Sequence, residues 1–344
     1  MELRLHSFEL KLKHTFNIAR DSYSKRDNVI VELVDGEYSG LGEGITHSYY
    51  GVTKESMTAV LTTLKPKIEA YEWGTPEDFW TYMADDLQAH PFVQCALDQA
   101  AWDLFAKQKK VPLYQLWNLN IDNLPLTNYT IGIDTTEIML QKMAEMPFPL
   151  YKIKLGTAHD IEIVQTLRAN TNAIFRVDAN CGWSATETLN NAKALQALGV
   201  EFIEQPMKAD KLAEMRSIYS DSVLPLIADE SCIHESDVVQ CAGAFHGINI
   251  KLVKCGGLTP ALRMIATAKK LGMKVMVGCM TESSVGISAI AHLLPMLDYV
   301  DMDGALLLSN DPAEGVEIVF GQISFTNRNG TGALLKDYEN HRIL

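Results

Sequence analysis

The chain has 344 residues, of which 47% are hydrophobic and 21% are charged, and its formal net charge is −13. This length allows one large domain or two, and the negative charge argues against a nucleic-acid or anionic-membrane partner. The six cysteines lack CxxC spacing, which favours reduced thiols, and no run approaches the roughly 18 apolar residues of a membrane span. The first residues alternate as in a strand and unlike a signal peptide. We therefore expect a soluble, cytoplasmic protein.

The N-terminal region has the alternation of antiparallel strands. Residues 1–12 and 28–44 alternate apolar and polar side chains, and Asp35-Gly36 predicts a hairpin turn. The polar residues from His14 to Asp27 predict a loop between these two segments.

Helical patterns follow this hairpin. Residues 53–71 are periodic, and Thr75-Pro76 is typical of a helix N-cap followed by proline at the first helical position. Residues 93–105 are strongly helical and largely apolar. The first ~120 residues therefore predict an α+β unit in which strands precede helices.

After about residue 124 the pattern changes to alternating strands and helices. The strand-like runs are 126–133, 150–155, 174–177, 201–203, 224–228, 247–253, 274–277 and 299–302. The helical patterns between them are 158–169, 184–198, 208–219, 258–271 and 284–297. Eight strands with helical crossovers predict a (β/α) barrel of TIM type. A doubly wound open sheet is the alternative, but no GxGxxG or GxxxxGK[ST] motif follows any strand.

The C-terminal tail returns to short strands. They are predicted at 316–320 and 323–325, and we expect the tail to rejoin the first sheet. The expected division is therefore an α+β unit formed by residues 1–122 and 316–344, with the barrel at 123–315.

Charged side chains recur where the predicted barrel strands end. Intervals of 24, 26, 25 and 22 residues, each one βα unit, separate Lys154, Asp178, Glu204, Asp229 and Lys251. A parallel barrel gathers such residues at the rim where active sites of this fold lie. Lys152 and Lys154 belong on one side of a strand, and two buried ammonium groups need anions opposite them.

Asp178, Glu204 and Asp229 would be three carboxylates on adjacent strands. Such repulsive anions are stable around a cation, and hard oxygen ligands favour Mg²⁺. Lys154 and Lys251 flank them and are candidate bases on opposite faces of one substrate. Loss of the α-proton of a substrate carboxylate, followed by its return on either face, gives racemisation or epimerisation. Each acid alone is most often a surface charge or a helix cap, but five strand ends in register favour a common site.

Further motifs surround these strand ends. Residues 95–118 combine a long helix with a Pro-Leu-Tyr segment. The strand motifs are Lys152-Ile-Lys154, Asp178-Ala-Asn180, Glu204-Gln-Pro206, Asp229-Glu230-Ser231 and Asn249-Ile-Lys251. Over the whole chain the sequence resembles the enolase superfamily, in its muconate-lactonising subgroup, and within that subgroup the dipeptide epimerases.

The resemblance implies a fold, a cofactor and residue roles. The fold would be a modified (β/α)7β barrel of TIM type, under an α+β capping domain built from both ends of the chain. One Mg²⁺ per subunit would lie on the three carboxylates, and Lys154 and Lys251 would be the catalytic bases. Lys152 would steady the substrate carboxylate and its enediolate. A small dipeptide would be the substrate, and we expect a homo-oligomer.

The narrower assignment rests on Asp301 and Asp303, which a strand would point to the same side. Dipeptide epimerases resemble this sequence in carrying Asp-x-Asp, which holds the N-terminal ammonium of the dipeptide through charge-assisted bonds. Thr130, Cys279 and Thr281 lie where the family contacts the dipeptide. A solvated Asp-x-Asp turn is the alternative.

The family's best-known activity is L-Ala-D/L-Glu epimerisation, linked to the use of murein peptides. It needs a cation for the glutamate side chain. Arg20 and Arg26 are candidates, although Asp21 aligns with one such arginine. Epimerisation of apolar or cationic dipeptides, N-acylamino-acid racemisation and o-succinylbenzoate synthesis stay open. A silent binding protein or a Schiff-base aldolase barrel does not need the full lysine–carboxylate set.

Overall fold

The N-terminal part of the molecule is an antiparallel sheet in the order β1-β2-β3. The computed structural model describes residues 1–18, 21–336 and 338–344. The strands of the first sheet are β1 (Glu2–Ile18), β2 (Asp21–Asp35) and β3 (Tyr38–Ile45). Asp35 pairs with Tyr38, and Gly36 has a φ of 60°, the left-handed conformation that a tight hairpin turn needs. The predicted turn is confirmed.

The loop predicted between His14 and Asp27 is wrong, because β1 and β2 extend into this segment. Phe16 pairs with Tyr23 across the two strands, and their ring centroids are 5.7 Å apart. The Arg26 guanidinium lies 3.6 Å from the centroid of the Tyr23 ring. Cross-strand aromatic and cation–π contacts stabilise paired strands, and here they outweigh the polar composition that predicted a loop.

Helices pack against this sheet. They are α1 (Lys54–Glu69), α2 (Pro76–Leu87), α3 (Pro91–Gln108) and α4 (Leu113–Leu116). The Thr75 side chain accepts a hydrogen bond from Asp78 N–H and Pro76 begins α2, as predicted. Helix α3 is buried on nearly every side and lies close against β3. A Cβ on Gly42 of β3 would lie 2.0 Å from the Ala96 carbonyl oxygen, so only glycine allows this approach.

The next part of the chain is an eight-stranded parallel sheet in the sequential order β4 to β11. The strands are β4 (Tyr129–Ile131), β5 (Leu150–Lys154), β6 (Ile174–Asp178), β7 (Val200–Glu204), β8 (Leu226–Ala228), β9 (Gly247–Lys251), β10 (Lys274–Gly278) and β11 (Tyr299–Asp301). The helices are α5 (Thr136–Glu145), α6 (Asp160–Arg168), α7 (Ala185–Ala197), α8 (Leu212–Ile218), α9 (Glu235–Cys241), α10 (Leu252–Cys255), α11 (Leu258–Lys270) and α12 (Ser284–Ala291). Thr127 bridges to Val300, which brings the last strand back to the first. The predicted strands and the TIM-type barrel are confirmed.

The C-terminal tail forms the predicted short strands, which pair with one another, and the tail reaches the first sheet beyond these strands. The tail strands are β12 (Ala313–Glu314), β13 (Glu317–Val319), β14 (Gln322–Ser324) and β15 (Leu334–Leu335). Strand β13 pairs with β14 and β12 with β15, since local pairing costs less loop-closure entropy than pairing with a distant sheet. Contact with β1 comes later, where His6 bridges to Arg342 and the Ile343 N–H donates to the Leu5 carbonyl at 2.8 Å.

The three-part division at residues 122 and 315 stays a prediction. No helix in the described ranges is long and apolar enough to cross a membrane.

Candidate active site

The charged residues predicted at strand ends lie together at the carboxyl ends of the barrel strands. The last residues of β5, β6, β7, β9 and β11 are Lys154, Asp178, Glu204, Lys251 and Asp301. Asp229 directly follows β8. The parallel register sets Lys154 beside Asp178, and Asp178 beside Glu204. One rim of the barrel therefore carries the whole set.

Asp178, Glu204 and Asp229 form a buried cluster whose carboxylate oxygens lie within 4.8 Å of one another. Burial raises the pKa of Glu204, and repulsion from Asp178 and Asp229 raises it as well. Lys152 lowers this pKa, and the net value is about 7. The Asn180 N–H donates to Asp178 at 2.9 Å, while its buried Oδ1 has no hydrogen-bond partner among the described residues. This concentration of oxygen ligands fits a hard divalent cation.

Two lysines approach the cluster from opposite sides. Lys154 Nζ lies 2.6 Å from Asp178 Oδ2, and Lys251 Nζ lies 2.9 Å from Asp229 Oδ2. They come from β5 and β9, which are four strands apart in the eight-stranded order. Burial lowers the pKa of Lys251, but the neighbouring Asp229 carboxylate opposes this effect, and the resulting pKa lies above the ordinary lysine value.

Lys152 lies deeper than the other two lysines and is 1% exposed. Its Nζ is 2.7 Å from Glu204 Oε2, 2.8 Å from Asp301 Oδ2 and 3.5 Å from Asp178 Oδ2. Burial lowers its pKa, but these three carboxylates raise it well above the ordinary value. Lys152 is therefore held as a cation at the base of the site.

Two further polar residues, outside the predicted catalytic and ligand sets, hold the cluster in place. Asn249 Nδ2 donates to Glu204 Oε1 at 2.8 Å, and Lys254 Nζ donates to Asp229 Oδ1 at 2.5 Å. Asn249 lies two residues before Lys251, so strand periodicity already placed it on the same side as that lysine. Lys254 lies beyond the end of β9, where this periodicity no longer applies.

Asp301 and Asp303 line one pocket but differ in environment. Lys152 and Asn128 donate to Asp301 at 2.8 and 2.7 Å, and its pKa is lowered even though burial opposes this. Asp303 lies beyond the end of β11 and accepts a hydrogen bond from the Thr130 N–H at 2.5 Å. Burial and the neighbouring Asp301 raise the pKa of Asp303 to about 8. The two carboxyl groups thus differ in how readily they ionise.

The pocket lies between the barrel rim and the hairpin of β1 and β2. Its lining includes most of the predicted site residues, namely Thr130, Lys154, Asp229, Lys251, Cys279, Thr281, Asp301 and Asp303. The hairpin contributes Phe16, Ile18 and Tyr23. The Tyr23 hydroxyl lies 2.8 Å from Thr281 Oγ1 and so joins the hairpin to the rim.

Arg26 lies in the pocket wall, where its charge is balanced. Its Nη2 is 3.0 Å from Asp21 Oδ2, and its Nη1 donates to the Thr46 carbonyl at 3.2 Å. Burial raises the pKa of Asp21, but Ser48 and Arg26 together bring it below the ordinary value. The other predicted specificity residue, Arg20, lies outside the described residues.

The chain matches two family models and is similar to curated epimerases. Residues 2–117 match the mandelate racemase/muconate lactonizing enzyme N-terminal domain, and residues 136–338 match the enolase C-terminal domain-like family. An L-Ala-D/L-amino acid epimerase of Flavobacterium johnsoniae is 55% identical, covering 97% of this chain and 100% of that protein. An L-Ala-D/L-Glu epimerase of Bacteroides thetaiotaomicron is 38% identical, covering 97% and 88%.

Solved structures show the same architecture. A dipeptide epimerase of Cytophaga hutchinsonii, complexed with Mg and the dipeptide D-Ala-L-Val, has a TM-score of 0.91 and 26% identity, covering 99% of this chain and 97% of that one. A capped parallel barrel with a lysine–carboxylate rim defines the enolase type of enzyme. The chain belongs to the enolase superfamily, and within it to the dipeptide epimerases, which are isomerases. The predicted family, fold and enzyme class are confirmed.

Proposed function

We propose that this enzyme inverts the α-carbon of the C-terminal residue of a dipeptide, with one of two lysines removing the α-proton and the other delivering a proton to the opposite face. The observation that carries the proposal is the placement of Lys154 and Lys251 on strands four apart, both facing one pocket. A planar intermediate between them would offer one face to each ammonium group. Two positioned proton-transfer groups are what inversion at a single carbon requires.

We assign one Mg²⁺ to Asp178, Glu204 and Asp229. Their buried oxygens lie within 4.8 Å of one another and suit a hard cation, and the similar epimerase of C. hutchinsonii is complexed with Mg. When bound, Mg²⁺ supplies positive charge that attracts the substrate carboxylate and favours the neutral, basic form of a nearby lysine.

The lysines divide the proton transfer between them. On one epimer Lys154 removes the α-proton and Lys251 delivers a proton to the other face, and on the opposite epimer the roles are exchanged. Lys152, buried and cationic, stabilises the negative charge of the enediolate that forms between these steps. Microscopic reversibility then gives both epimers from either substrate.

Asp303 and Asp301 are proposed to hold the substrate ammonium group. Both carboxyl groups line the pocket, and an arriving ammonium group would compensate the repulsion between them, which together with burial raises the pKa of Asp303. Thr130, Cys279 and Thr281 complete this end of the pocket and are proposed to contact the dipeptide.

We propose L-Ala-D/L-Glu as a substrate within a wider set of L-Ala dipeptides. The similarity to epimerases named for L-Ala-D/L-amino acid and L-Ala-D/L-Glu dipeptides supports L-alanine as the first residue. Arg26 is a cation in the pocket wall that could pair with a glutamate side chain. Because Asp21 already balances this charge, second residues without a negative charge are also expected to bind. L-Ala-D-Glu is a murein-peptide fragment, which makes murein metabolism the proposed context.

The direct test is proton exchange in D₂O with L-Ala-L-Glu, L-Ala-L-Leu, L-Ala-L-Lys and an N-acyl amino acid. We expect deuterium at the α-carbon of the second dipeptide residue, with both epimers formed, and loss of this activity when divalent cations are chelated. Restoration by added Mg²⁺ is the control. Turnover of the N-acyl amino acid without exchange in any dipeptide would reject the proposal.

A further inference from the structure

A second pair of carboxyl groups lies between the first sheet and the barrel, outside the pocket lining. Glu43 is on β3, and Glu282 lies in the segment that joins β10 to α12. Their exposed fractions are 0% and 1%. The same segment carries Cys279 and Thr281, which line the pocket. Whatever fixes Glu282 therefore fixes one wall of the pocket.

Glu43 accepts hydrogen bonds on both carboxyl oxygens; burial raises its pKa above the ordinary value, and these hydrogen bonds oppose that shift by favouring the ionised form. Its Oε1 accepts from Asn28 Nδ2 at 2.7 Å, and its Oε2 accepts from Ser283 Oγ at 2.7 Å and from the Gly286 N–H at 3.0 Å. The Ser283 N–H also donates to it. The backbone donors belong to the N-terminal end of α12, where a negative charge is stabilised.

Glu282 has a different environment. Its Oε1 accepts from the Met280 N–H at 2.7 Å, whereas its buried Oε2 has no hydrogen-bond partner in the described parts of the chain. A Cβ on Gly286 would lie 2.3 Å from Glu282 Oε2 and 3.2 Å from Glu43 Oε2. Both oxygens therefore face one small space, and the oxygen of Glu282 without a partner faces a carboxylate.

The titratable and charged groups around Glu282 do not neutralise a second negative charge there. They are Glu43 of β3, Lys251 of β9, Cys95 of α3 and Cys279 of the same segment. Lys251 is paired with Asp229 and only weakly favours the ionised form of Glu282. Two charges in one buried space repel, and a proton on one of them removes the repulsion and supplies the missing donor. In agreement, burial and Glu43 raise the pKa of Glu282 to about 8.

We propose that Glu282 is a carboxylic acid that donates a hydrogen bond to the Glu43 carboxylate, and that this pair fastens the pocket-lining segment 279–283 to the first sheet. Both are positioning residues, since they act through Cys279 and Thr281 and do not line the pocket themselves. Only the kinetic consequence rests on the proposed function. The shared proton and its effect on stability stand independently of the reaction.

The test compares the wild type, Glu282→Gln and the exposed control Glu72→Gln. A glutamine amide can donate to Glu43 as the acid does, but it cannot titrate. Because the folded pKa of Glu282 lies above its unfolded value, the stability that it contributes is complete below about pH 4.5 and is lost as pH rises towards about 8. Within this window we expect the unfolding constant of the wild type to rise about tenfold per pH unit relative to Glu282→Gln, but not relative to Glu72→Gln.

Two further readouts separate this proposal from a general structural effect. In the folded enzyme, the ratio of the wild-type KM for the dipeptide to that of Glu282→Gln is expected to rise several-fold above about pH 8, with kcat less affected; the ratio cancels the titration of Asp303, which both proteins share. Infrared difference spectra of the wild type against Glu282→Gln are expected to show one protonated carboxyl group at neutral pH. If Glu282→Gln does not fold, Glu43→Gln serves instead, and the window should then end below about pH 8.

Parallel stability profiles of the wild type and Glu282→Gln, or no protonated carboxyl band, would overturn the proposal. Stabilisation by Na⁺ or K⁺ with an ionised Glu282 would also overturn it, because a bound cation would then replace the proton. A failure of dipeptide turnover with an intact pH-dependent stability difference would reject the proposed function alone.

Discussion

Lys154 and Lys251 each donate a hydrogen bond to a carboxylate, at 2.6 and 2.9 Å. For Lys251 the carboxylate is Asp229, which raises the pKa of this lysine. A base must lose its proton at working pH. Asp229 is also a proposed Mg²⁺ ligand, and a metal that takes up its negative charge would weaken its hold on the Lys251 proton. Metal binding and the basicity of Lys251 are therefore expected to be coupled through Asp229.

Asn249 is expected to set the affinity for Mg²⁺ without touching the substrate. Its Nδ2 donates to Glu204 Oε1 and so orients the other carboxylate oxygen. We expect Asn249→Ala to weaken Mg²⁺ binding by about 10- to 100-fold, because partners that orient metal ligands have effects of this size. Titration of activity with Mg²⁺ measures it, with the exposed Asn329→Ala as control. An unchanged Mg²⁺ affinity would show either that Glu204 is not a metal ligand or that Asn249 does not orient it.

Asp21 and Arg26 are expected to tune the choice of the second dipeptide residue in opposite directions. Asp21→Asn leaves Arg26 without its carboxylate partner and should raise kcat/KM for L-Ala-L-Glu several-fold over L-Ala-L-Leu. Arg26→Gln should lower the same ratio by about tenfold, since a charge-assisted hydrogen bond contributes about 1.5–3 kcal/mol. Lys25→Gln, which alters a cation paired with exposed Glu9, is the control. Equal effects on both dipeptides would show that Arg26 does not contact the side chain.

At the scale of elements, the hairpin of β1 and β2 forms a wall that is anchored to the barrel. The anchor is the hydrogen bond between Tyr23 of β2 and Thr281 of the segment after β10, 258 positions apart in sequence. The Arg26 guanidinium stacks on the ring of Tyr23, whose hydroxyl makes this hydrogen bond. The contact thus ties the wall proposed to select the second dipeptide residue to the rim proposed to carry the catalytic lysines.

Tyr23→Phe should test this anchor while keeping the aromatic contact with Phe16. Loss of the hydroxyl leaves the cross-strand ring pair intact but removes the link to Thr281. We expect KM for dipeptides to rise about three- to tenfold with a smaller change in kcat, from the loss of one hydrogen bond of about 1 kcal/mol. Steady-state kinetics measures it, with Tyr82→Phe on α2 as control. An unchanged KM would show that the wall does not depend on this bond.

The packing of α3 on β3 makes a separate prediction about stability. A methyl group on Gly42 would meet the Ala96 carbonyl oxygen at 2.0 Å, whereas one on Gly74 would meet its nearest neighbour at 3.7 Å. We expect Gly42→Ala to lower the free energy of unfolding by about 1–3 kcal/mol or more, because backbone must move, and Gly74→Ala to have little effect. Denaturant unfolding measures both. Similar stabilities would mean that the sheet can shift away from the helix at little cost.

Sequence periodicity predicted the elements well where a pattern repeated and poorly where contacts between distant residues decided. The eight barrel strands and the turn at Asp35-Gly36 follow from alternation and turn chemistry. The segment 14–27 looked like a loop because its polar residues hid the pairing of Phe16 with Tyr23. Such a pair depends on register across a hairpin, which composition does not contain.

Across the whole molecule, buried carboxylates of the first unit hold later parts of the chain. Asp98 of α3 accepts from Thr259 N–H at 2.9 Å at the start of α11, and Asp103 of α3 accepts from Thr331 N–H at 2.6 Å. Glu43 does the same at α12. These acids cap backbone donors on other elements and fix how the first unit sits on the barrel. No sequence pattern predicted these contacts, since each carboxylate and its backbone partner are more than 150 positions apart in the chain.

The candidate site could be predicted at the level of strand ends, but not at the level of partners. From Lys154 to Lys251, each βα unit carries one charged site residue at the end of its strand, which explains the regular intervals in sequence. The barrel then brings these strand ends to one rim. The pairing of Lys152 with Asp301, and the opposite pKa shifts of Asp301 and Asp303, depend on burial and on distances of 2.5–2.8 Å. Such features appear only when the strands are assembled.

The central claim is that two lysines on opposite sides of the barrel act on one α-carbon. Its most direct test follows α-proton exchange in D₂O, with L-Ala-L-Glu and L-Ala-D-Glu supplied separately to Lys154→Ala and Lys251→Ala, and with the exposed Lys193→Ala as control. We expect each variant to lose inversion by at least about 10²-fold yet to keep exchange with one epimer, the two variants keeping opposite epimers. Inversion at the wild-type rate in either variant, or exchange of the same epimer by both, would contradict the two-lysine account.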